Sequence, residues 1–231
     1  MIPIRDQNRS QTTPHITRIL IIINVIGFIP LLYSRFFPEE TTVTLYLDSL
    51  LMVPNDILQG KNLHTLFTSM FLHADIFHIG GNMLFLYVFG DNVEDAFGHL
   101  RYLMFYLICG LVADFAHILS LTTPSELLIP TLGASGAISG VMGAYALMYP
   151  KARIRTLILI YFIAVVSVPA ILFLGFWFLL QLLYTWLEIG GGVAYWAHIG
   201  GFVAGMILAL ILRRRKRKPE PAIPYYVETQ F

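Results

Sequence analysis

Charged residues are scarce in this sequence. Asp, Glu, Lys and Arg make up 13% of the 231 residues, about half the share that is usual in a soluble domain. Hydrophobic residues make up 57%, and apolar runs exceed the roughly 20 residues that are needed to cross a bilayer. The scarcity of charge therefore excludes an ordinary soluble domain and predicts an integral membrane protein.

Cysteine is nearly absent as well. The one cysteine, Cys109, lies within an apolar run, so no intrachain disulfide can form and no cysteine metal site is expected. Basic residues interleaved with aromatic residues are missing outside the C-terminal tail, where "RRRKRK" (213–218) is interpreted as an anchor to anionic lipid. The sequence predicts no nucleic-acid partner and no cofactor. A small-residue cleavage site is also missing after the first apolar run, which predicts a retained helix.

Six apolar segments are predicted to cross the membrane as helices. They cover approximately residues 16–32, 77–97, 102–121, 135–149, 168–186 and 196–212. The long connection before the second segment is of a kind that is usually functional or contains structure of its own, and residues 151–167 are ambiguous between a loop and an extended run. The predicted architecture is all-α: an N-terminal segment (1–15), a six-helix membrane domain (16–212) and a basic, then Pro-rich tail (213–231).

The distribution of Lys and Arg predicts the orientation. With both termini in the cytoplasm, thirteen of the 15 Lys and Arg residues would lie inside, and only Arg35 and Lys61 outside. The connections 122–134 and 187–195 contain no Lys or Arg, so the fourth and sixth segments are predicted to begin at the outer face. The short N-terminus lacks an Arg- and Ser-rich transit segment, which points to a prokaryotic plasma membrane.

Three polar clusters lie near the outer ends of these segments. Polar residues at membrane depth are functional candidates by default. The clusters are "HADIFHIGGN" with His73, His78 and Asn82, "GASG" with Ser135, and "AHIGGFVAG" with His198. All three clusters can therefore lie at the same depth in the membrane.

Glycines next to two of these clusters predict how they meet. Small residues at helical spacing let two helices approach closely. One strip consists of Gly136, Gly140 and Gly143 in the fourth segment, and the other of Gly201 and Gly205 in the sixth. Ser135 and His198 stand just before these strips, so close packing would bring the hydroxyl and the imidazole within hydrogen-bond reach.

A serine beside a histidine is a nucleophile with its general base. His78 and Asn82 share one helix face, and their side chains, with the backbone N–H of Ser135, are candidate donors to an oxyanion. Other interpretations stay open. Gly-x-Ser-Gly is also a packing motif, Asn82 could only join two helices, and His73 and His78 could bind a metal. Because i and i+5 is a poor ligand spacing on a helix, no metal is predicted.

The ordered set of motifs resembles a known family. His-x4-His-x3-Asn, Gly-x-Ser-Gly and Ala-His-x-x-Gly-x-x-x-Gly occur in this order, together with a long first external loop, "FLHAD" and a Gly-x3-Glu-x3-Gly pattern at 90–98. Over about residues 60–212 the set resembles the rhomboid family of intramembrane serine proteases. The resemblance implies a six-helix bundle in which a short central fourth helix ends in a water-filled cavity.

The resemblance also implies roles for single residues. Ser135 would be the nucleophile and His198 its base, without an acid as third member. His78, Asn82 and the Ser135 backbone would form the oxyanion site. The substrates would be transmembrane segments of other membrane proteins, and the aromatic fifth segment would be a lateral gate for their entry.

Two supporting roles and two departures complete the resemblance. Gly133 would shape the turn before the serine, and His73 would support the first loop. Ser139 stands where many members carry an aromatic residue that stacks on the histidine, and "KNLHTLF" replaces an expected Trp-Arg pair. A non-catalytic scaffold or chaperone that binds client transmembrane helices is the alternative function. A small transporter is less favoured because no inverted repeat is found, and the oligomeric state is not predicted.

Overall fold

The computed structural model describes residues 1–8, 10–37, 41–159, 163–189 and 192–212. The tail predicted for 213–231 lies outside the described residues. Within these ranges the helices are α1 (His15–Phe36), α2 (Thr41–Asp48), α3 (Pro54–Leu58), α4 (Thr65–Thr68), α5 (Ile76–Phe97), α6 (His99–Ser120), α7 (Ser135–Met148), α8 (Ala170–Trp186) and α9 (Tyr195–Leu212). The strands are β1 (Ile2–Asp6), β2 (Arg153–Leu159) and β3 (Ile163–Pro169).

The six longest helices, α1 and α5 to α9, occupy the six predicted segments. Of these, α1, α6 and α9 are long and apolar enough to cross a membrane, and α7 and α8 are apolar but shorter. Gly98, with a φ of 81°, separates α5 from α6, a backbone conformation that glycine adopts readily. The prediction of a mainly helical membrane protein is confirmed.

The connection between α1 and α5 contains structure of its own. It carries α2, α3, α4 and a single 3-10 turn (Ser69–Phe71). A small apolar cluster of Met52, Ile57, Leu66 and Ile118 fastens it to α6. Met52 also forms a β-bridge with Thr131. The connection between α1 and α5 therefore lies against the helical bundle at the end where α7 begins.

The prediction of an all-α protein is wrong in one respect. The strands form an antiparallel sheet in the order β1-β2-β3, with Ile2 opposite Leu157 and Arg153 opposite Pro169. The ambiguous residues 151–167 therefore belong largely to β2 and β3, where β-branched residues favour the extended conformation. Pro3 is accommodated because β1 is an edge strand.

Buried polar contacts fix the N-terminal segment to the bundle. A carboxylate oxygen of Asp6 accepts hydrogen bonds from Tyr145 Oη and Asn92 Nδ2, both at 2.7 Å. Glu94, the central residue of the Gly-x3-Glu-x3-Gly pattern, is fully buried and accepts from the N–H groups of Ile16 and Thr17. Glu94 thereby caps α1 in the first turn, where backbone N–H groups lack helical partners.

Candidate active site

Helices α7 and α9 pack with their backbones in contact. A Cβ atom on Gly205 would overlap the carbonyl oxygen of Gly140, and one on Gly201 would overlap that of Gly136. A Cβ on Gly143 would likewise overlap the carbonyl oxygen of Phe202. Because glycine has no side chain, the two helices approach more closely than any larger residue would allow.

This close approach brings the candidate nucleophile to the candidate base. Ser135 is the first residue of α7, and His198 lies in the first turn of α9. The Ser135 Oγ is 2.8 Å from His198 Nε2, within the range of a hydrogen bond and suited to proton transfer. The hydroxyl and the imidazole are therefore placed as a nucleophile and its general base require.

The other side of the imidazole contacts α8. His198 Nδ1 is 2.9 Å from Gln181 Oε1, and the ring centroid of Trp177 lies 5.8 Å from that of His198. Ser139, at the position where the resemblance implies an aromatic residue, instead donates a 2.6 Å hydrogen bond to the Ser135 carbonyl. Aromatic contact with His198 thus comes from Trp177 of α8 and Tyr195 of α9, and not from α7.

Gln181 is a site residue that the sequence analysis missed. It is the only side-chain amide in the apolar sequence of α8, "AILFLGFWFLLQLLYTW", and only 6% of its surface is exposed. Burying an amide among apolar residues is unfavourable unless it finds hydrogen-bond partners. A lone glutamine in an apolar helix was therefore the feature that could have revealed it.

The candidate oxyanion donors lie on α5. Asn82 is 9% exposed, and its Nδ2 has no hydrogen-bond partner among the described residues. His78 Nδ1 accepts a long hydrogen bond of 3.4 Å from the N–H of Ala74, which leaves the proton of a neutral ring on Nε2. Both side chains therefore have a donor free for a substrate.

Gly133 lies between these donors and the serine. Its φ is 127°, and a Cβ there would be 2.8 Å from His78 Nε2 and 3.8 Å from Ser135 Oγ. The N–H of Gly133 donates to the Ser69 carbonyl at 2.9 Å, which holds the turn in place. The missing side chain leaves open the space that a carbonyl oxygen under attack would need.

His73 and Asp75 support the beginning of α5. His73 is 1% exposed, and its ring lies edge-on to that of His78 at a centroid distance of 5.0 Å. Burial lowers the pKa of His73 to about 4, so its ring is neutral near neutral pH. The Asp75 carboxylate accepts from the N–H groups of His78 and Phe77, and these bonds lower its pKa. Asp75 is the N-cap of α5, a role that an aspartate before an apolar run often has.

The aromatic residues of α8 do not form one uniform surface. Phe173 is buried in the core, and Trp177 and Phe178 stack on Phe202 of α9. Phe176 is 49% exposed and faces outward. Among the described residues, no three His, Cys, Asp or Glu side chains come together as metal ligands would.

Comparison with known proteins identifies the family. The family model for the Rhomboid domain matches residues 60–215, and the chain belongs to the rhomboid family. It is 33% identical over 180 residues to RHOMBOID-like protein 12, mitochondrial, of Arabidopsis thaliana, covering 72% of this chain and 52% of the relative. It is 34% identical over 156 residues to Rhomboid protease GluP of Bacillus subtilis, covering 68% of this chain and 28% of the relative.

A yeast relative is also similar over most of this chain, but at lower identity. Rhomboid protein 1, mitochondrial, of Saccharomyces cerevisiae is 26% identical over 182 residues, covering 75% of this chain and 48% of the relative. The chain spans about half the length, or less, of these relatives. Two of the three are described as mitochondrial and one is bacterial. The similarities therefore do not support the expectation of a prokaryotic plasma membrane over a mitochondrial one.

Proposed function

We propose that this protein is an intramembrane serine endopeptidase that cleaves transmembrane segments of other membrane proteins. The observation that carries this proposal is the 2.8 Å contact between Ser135 Oγ and His198 Nε2. Membership of the rhomboid family supports it, because Rhomboid protease GluP is among the similar proteins. A hydroxyl bonded to an imidazole is the arrangement that activates serine for attack on a carbonyl.

The reaction proceeds through an acyl-enzyme. His198 Nε2 takes the proton of the Ser135 hydroxyl as Oγ attacks the scissile carbonyl carbon. When the tetrahedral intermediate collapses, the C–N bond breaks and His198 gives the proton to the leaving amine. Water then loses a proton to His198 as its oxygen attacks the acyl carbon. When this second intermediate collapses, the bond to Ser135 Oγ breaks and Oγ takes the proton back from His198, which releases the second product as a carboxylic acid. No acidic third residue takes part.

The oxyanion of each tetrahedral intermediate is stabilised by three hydrogen-bond donors. These are Asn82 Nδ2, His78 Nε2–H and the backbone N–H of Ser135 in the first turn of α7. One such donor contributes roughly 3–4 kcal/mol to stabilisation of the transition state. The unpaired amide of Asn82 supports this role, since a buried donor without a partner is otherwise unfavourable.

In this proposal the six longest described helices, α1 and α5 to α9, form the membrane domain, with both termini on the positively charged cytoplasmic side. Ser135 and His198 then lie near the outer ends of α7 and α9. A substrate helix hides its carbonyl groups in its own hydrogen bonds, so it must unwind locally before attack. Small or helix-breaking residues in the substrate therefore favour cleavage.

Labelling with a fluorophosphonate tests the proposal directly. The probe forms a covalent bond with an activated serine, and the full chain in detergent is the sample. Wild type is expected to be labelled, whereas Ser135→Ala and His198→Ala are expected to lose labelling entirely. Cleavage of a membrane-embedded reporter helix is expected to disappear in the same two variants.

The alternative function predicts a different result. A scaffold or chaperone that only binds client helices needs no activated serine, so Ser135→Ala would keep its function. Absence of labelling in a wild-type protein that is folded, judged by its thermal unfolding transition, would contradict the protease and favour the scaffold.

A further inference from the structure

Gln181 makes two hydrogen bonds with its side chain. Its Nε2 donates to the Trp177 carbonyl at 3.2 Å, and its Oε1 lies 2.9 Å from His198 Nδ1. A backbone carbonyl can only accept a hydrogen bond, so the nitrogen of the amide must face Trp177. The oxygen of the amide must then face His198.

This orientation of the amide determines where the imidazole carries its proton. Because the Gln181 oxygen can only accept, the proton of the neutral ring must lie on His198 Nδ1. The lone pair is then on Nε2, which faces the Ser135 hydroxyl at 2.8 Å. The opposite tautomer would place two lone pairs face to face on one side and leave no base for the serine on the other.

We propose that Gln181 is a positioning residue that holds His198 in the tautomer and ring orientation needed to activate Ser135. This inference rests on the proposed function. Gln181 occupies the place that a carboxylate holds in a Ser-His-Asp triad, with a neutral oxygen in place of a charged one. Trp177, one turn earlier on α8, limits the tilt of the ring from the same side.

The position of Gln181 on α8 has a consequence for the catalytic cycle. Ser135 and His198 belong to α7 and α9, whereas the residue that orients the base belongs to a third helix. The base is therefore correctly oriented only while α8 packs against α9. A displacement of α8 that separated the two helices would break the bond to Nδ1 and leave Ser135 without an oriented base.

Two substitutions distinguish the hydrogen bond between Gln181 and His198 from a role of the Gln181 side chain in packing alone. Gln181→Leu removes the acceptor, and Gln181→Glu keeps an acceptor oxygen. Thr185→Val is the matched control, because Thr185 lies one turn further along α8 and donates only to the Gln181 carbonyl. All variants are full chains in the same detergent.

The first readout is the rate of fluorophosphonate labelling as a function of pH. Gln181→Leu is expected to slow labelling by roughly 10- to 100-fold, by analogy with the loss of a residue that orients a metal-binding histidine. Gln181→Glu is expected to restore labelling and to move the midpoint of its pH profile upward, because a carboxylate stabilises the protonated imidazole. The neighbouring titratable groups, His78 and His117, are the same in every variant. Thr185→Val is expected to match wild type.

The second readout is the 15N NMR spectrum of the histidine rings, with His198→Asn to assign the resonances of His198. The wild type is expected to show the Nδ1–H tautomer, and Gln181→Leu a shift toward Nε2–H. Equal labelling and an unchanged tautomer in Gln181→Leu would overturn the inference and leave the protease intact. An unlabelled wild type whose His198 tautomer still depends on Gln181 would support the positioning role and contradict the protease.

Discussion

Gly133 combines a positive φ with a position directly beside the side chain of His78. Gly133→Ala is expected to lower the labelling rate by about tenfold or more, because the added methyl would fill the space beside His78 Nε2 and non-glycine residues resist a positive φ. The labelling rate and the thermal unfolding temperature of the same preparation check this expectation.

Gly60→Ala is the control that separates the strain of a positive φ from the filling of space beside His78. Gly60 also has a positive φ, of 70°, but no atom lies within 4 Å of the position of its Cβ. Its substitution should therefore cost some stability and leave labelling unchanged. If Gly133→Ala behaved in the same way, the space beside His78 would have no part in the reaction.

The residues of the site differed in how readily the sequence revealed them. Ser135, His78, Asn82 and His198 stand out because polar residues are rare at membrane depth. Gln181 belongs to the same class but has no motif around it, so only the folded structure relates it to His198. The replacement of an aromatic residue by Ser139 was visible in the sequence. The compensating contact from Trp177 was not, because it depends on how α8 packs.

The contact between α7 and α9 is the element-scale feature that the site depends on. Gly205→Ala is expected to destabilise the protein by about 1–3 kcal/mol, the range for overpacking a filled core, because the methyl would overlap the Gly140 carbonyl. It should also lower labelling, since the separation of α7 from α9 sets the distance between Ser135 and His198. Unfolding in detergent, followed by circular dichroism, measures the first effect.

A glycine on a different helix is the control for this substitution. At Gly175 in α8, no atom lies within 4 Å of the position that an added methyl would take, and alanine is the better helix former by up to about 1 kcal/mol. Gly175→Ala should therefore leave stability unchanged or raise it slightly. Equal effects at Gly175 and Gly205 would show that backbone contact between α7 and α9 is unimportant for stability.

Strand β1 is held by a carboxyl group that titrates at an unusual pH. Burial raises the pKa of Asp6 from 3.8 to about 6, although the hydrogen bond from Tyr145 opposes this change. The folded protein therefore keeps a proton that the unfolded chain releases. This contribution to stability is full below about pH 3.8 and is lost as the pH rises through about 6.

Protection of the β1 amides from hydrogen exchange is expected to be greater at about pH 5 than at about pH 7.5, after correction for the intrinsic exchange rate. Asp6→Asn keeps an oxygen to accept from Tyr145 but cannot titrate, so it should abolish this difference. A pH dependence that persisted in Asp6→Asn would assign the effect to another group.

Helices and sheet were not equally predictable from sequence. The helices follow from runs of apolar residues, bounded by features such as Asp75 before α5 and Pro150 after α7, and these are local. The sheet was missed because β1 has five residues, too few for a pattern, and its partner β2 lies beyond four long helices. Pairing between such distant segments leaves no local trace in either one.

At the scale of the whole molecule, the orientation in the membrane is open to a direct test. Cys109 is the only cysteine and is buried in α6, so the native chain gives little background with a thiol reagent. With the protein expressed in a bacterial plasma membrane, Ser125→Cys is expected to react with a membrane-impermeant maleimide in intact cells. Lys151→Cys is expected to react only after the membrane is opened, because the proposed topology puts Lys151 on the cytoplasmic side, together with twelve other Lys and Arg residues.

Both positions are exposed in the structure, so a difference in reactivity would report the side of the membrane and not burial. Reaction of Lys151→Cys in intact cells would reverse the proposed topology and move Ser135 to the cytoplasmic side. The same two variants, made in the Ser135→Ala background, would show whether topology depends on activity.

The sheet also has a consequence for biosynthesis. Residues 2–6 leave the ribosome well before the strand that pairs with them, because β2 is made only after α1, α5, α6 and α7. Until α7 is made Asp6 lacks its partner Tyr145, and until β2 follows β1 remains an open strand. Closure of the sheet therefore marks the moment at which the part of the chain that carries Ser135 has been completed. A chain that stalled before residue 153 would therefore leave β1 without its partner strand.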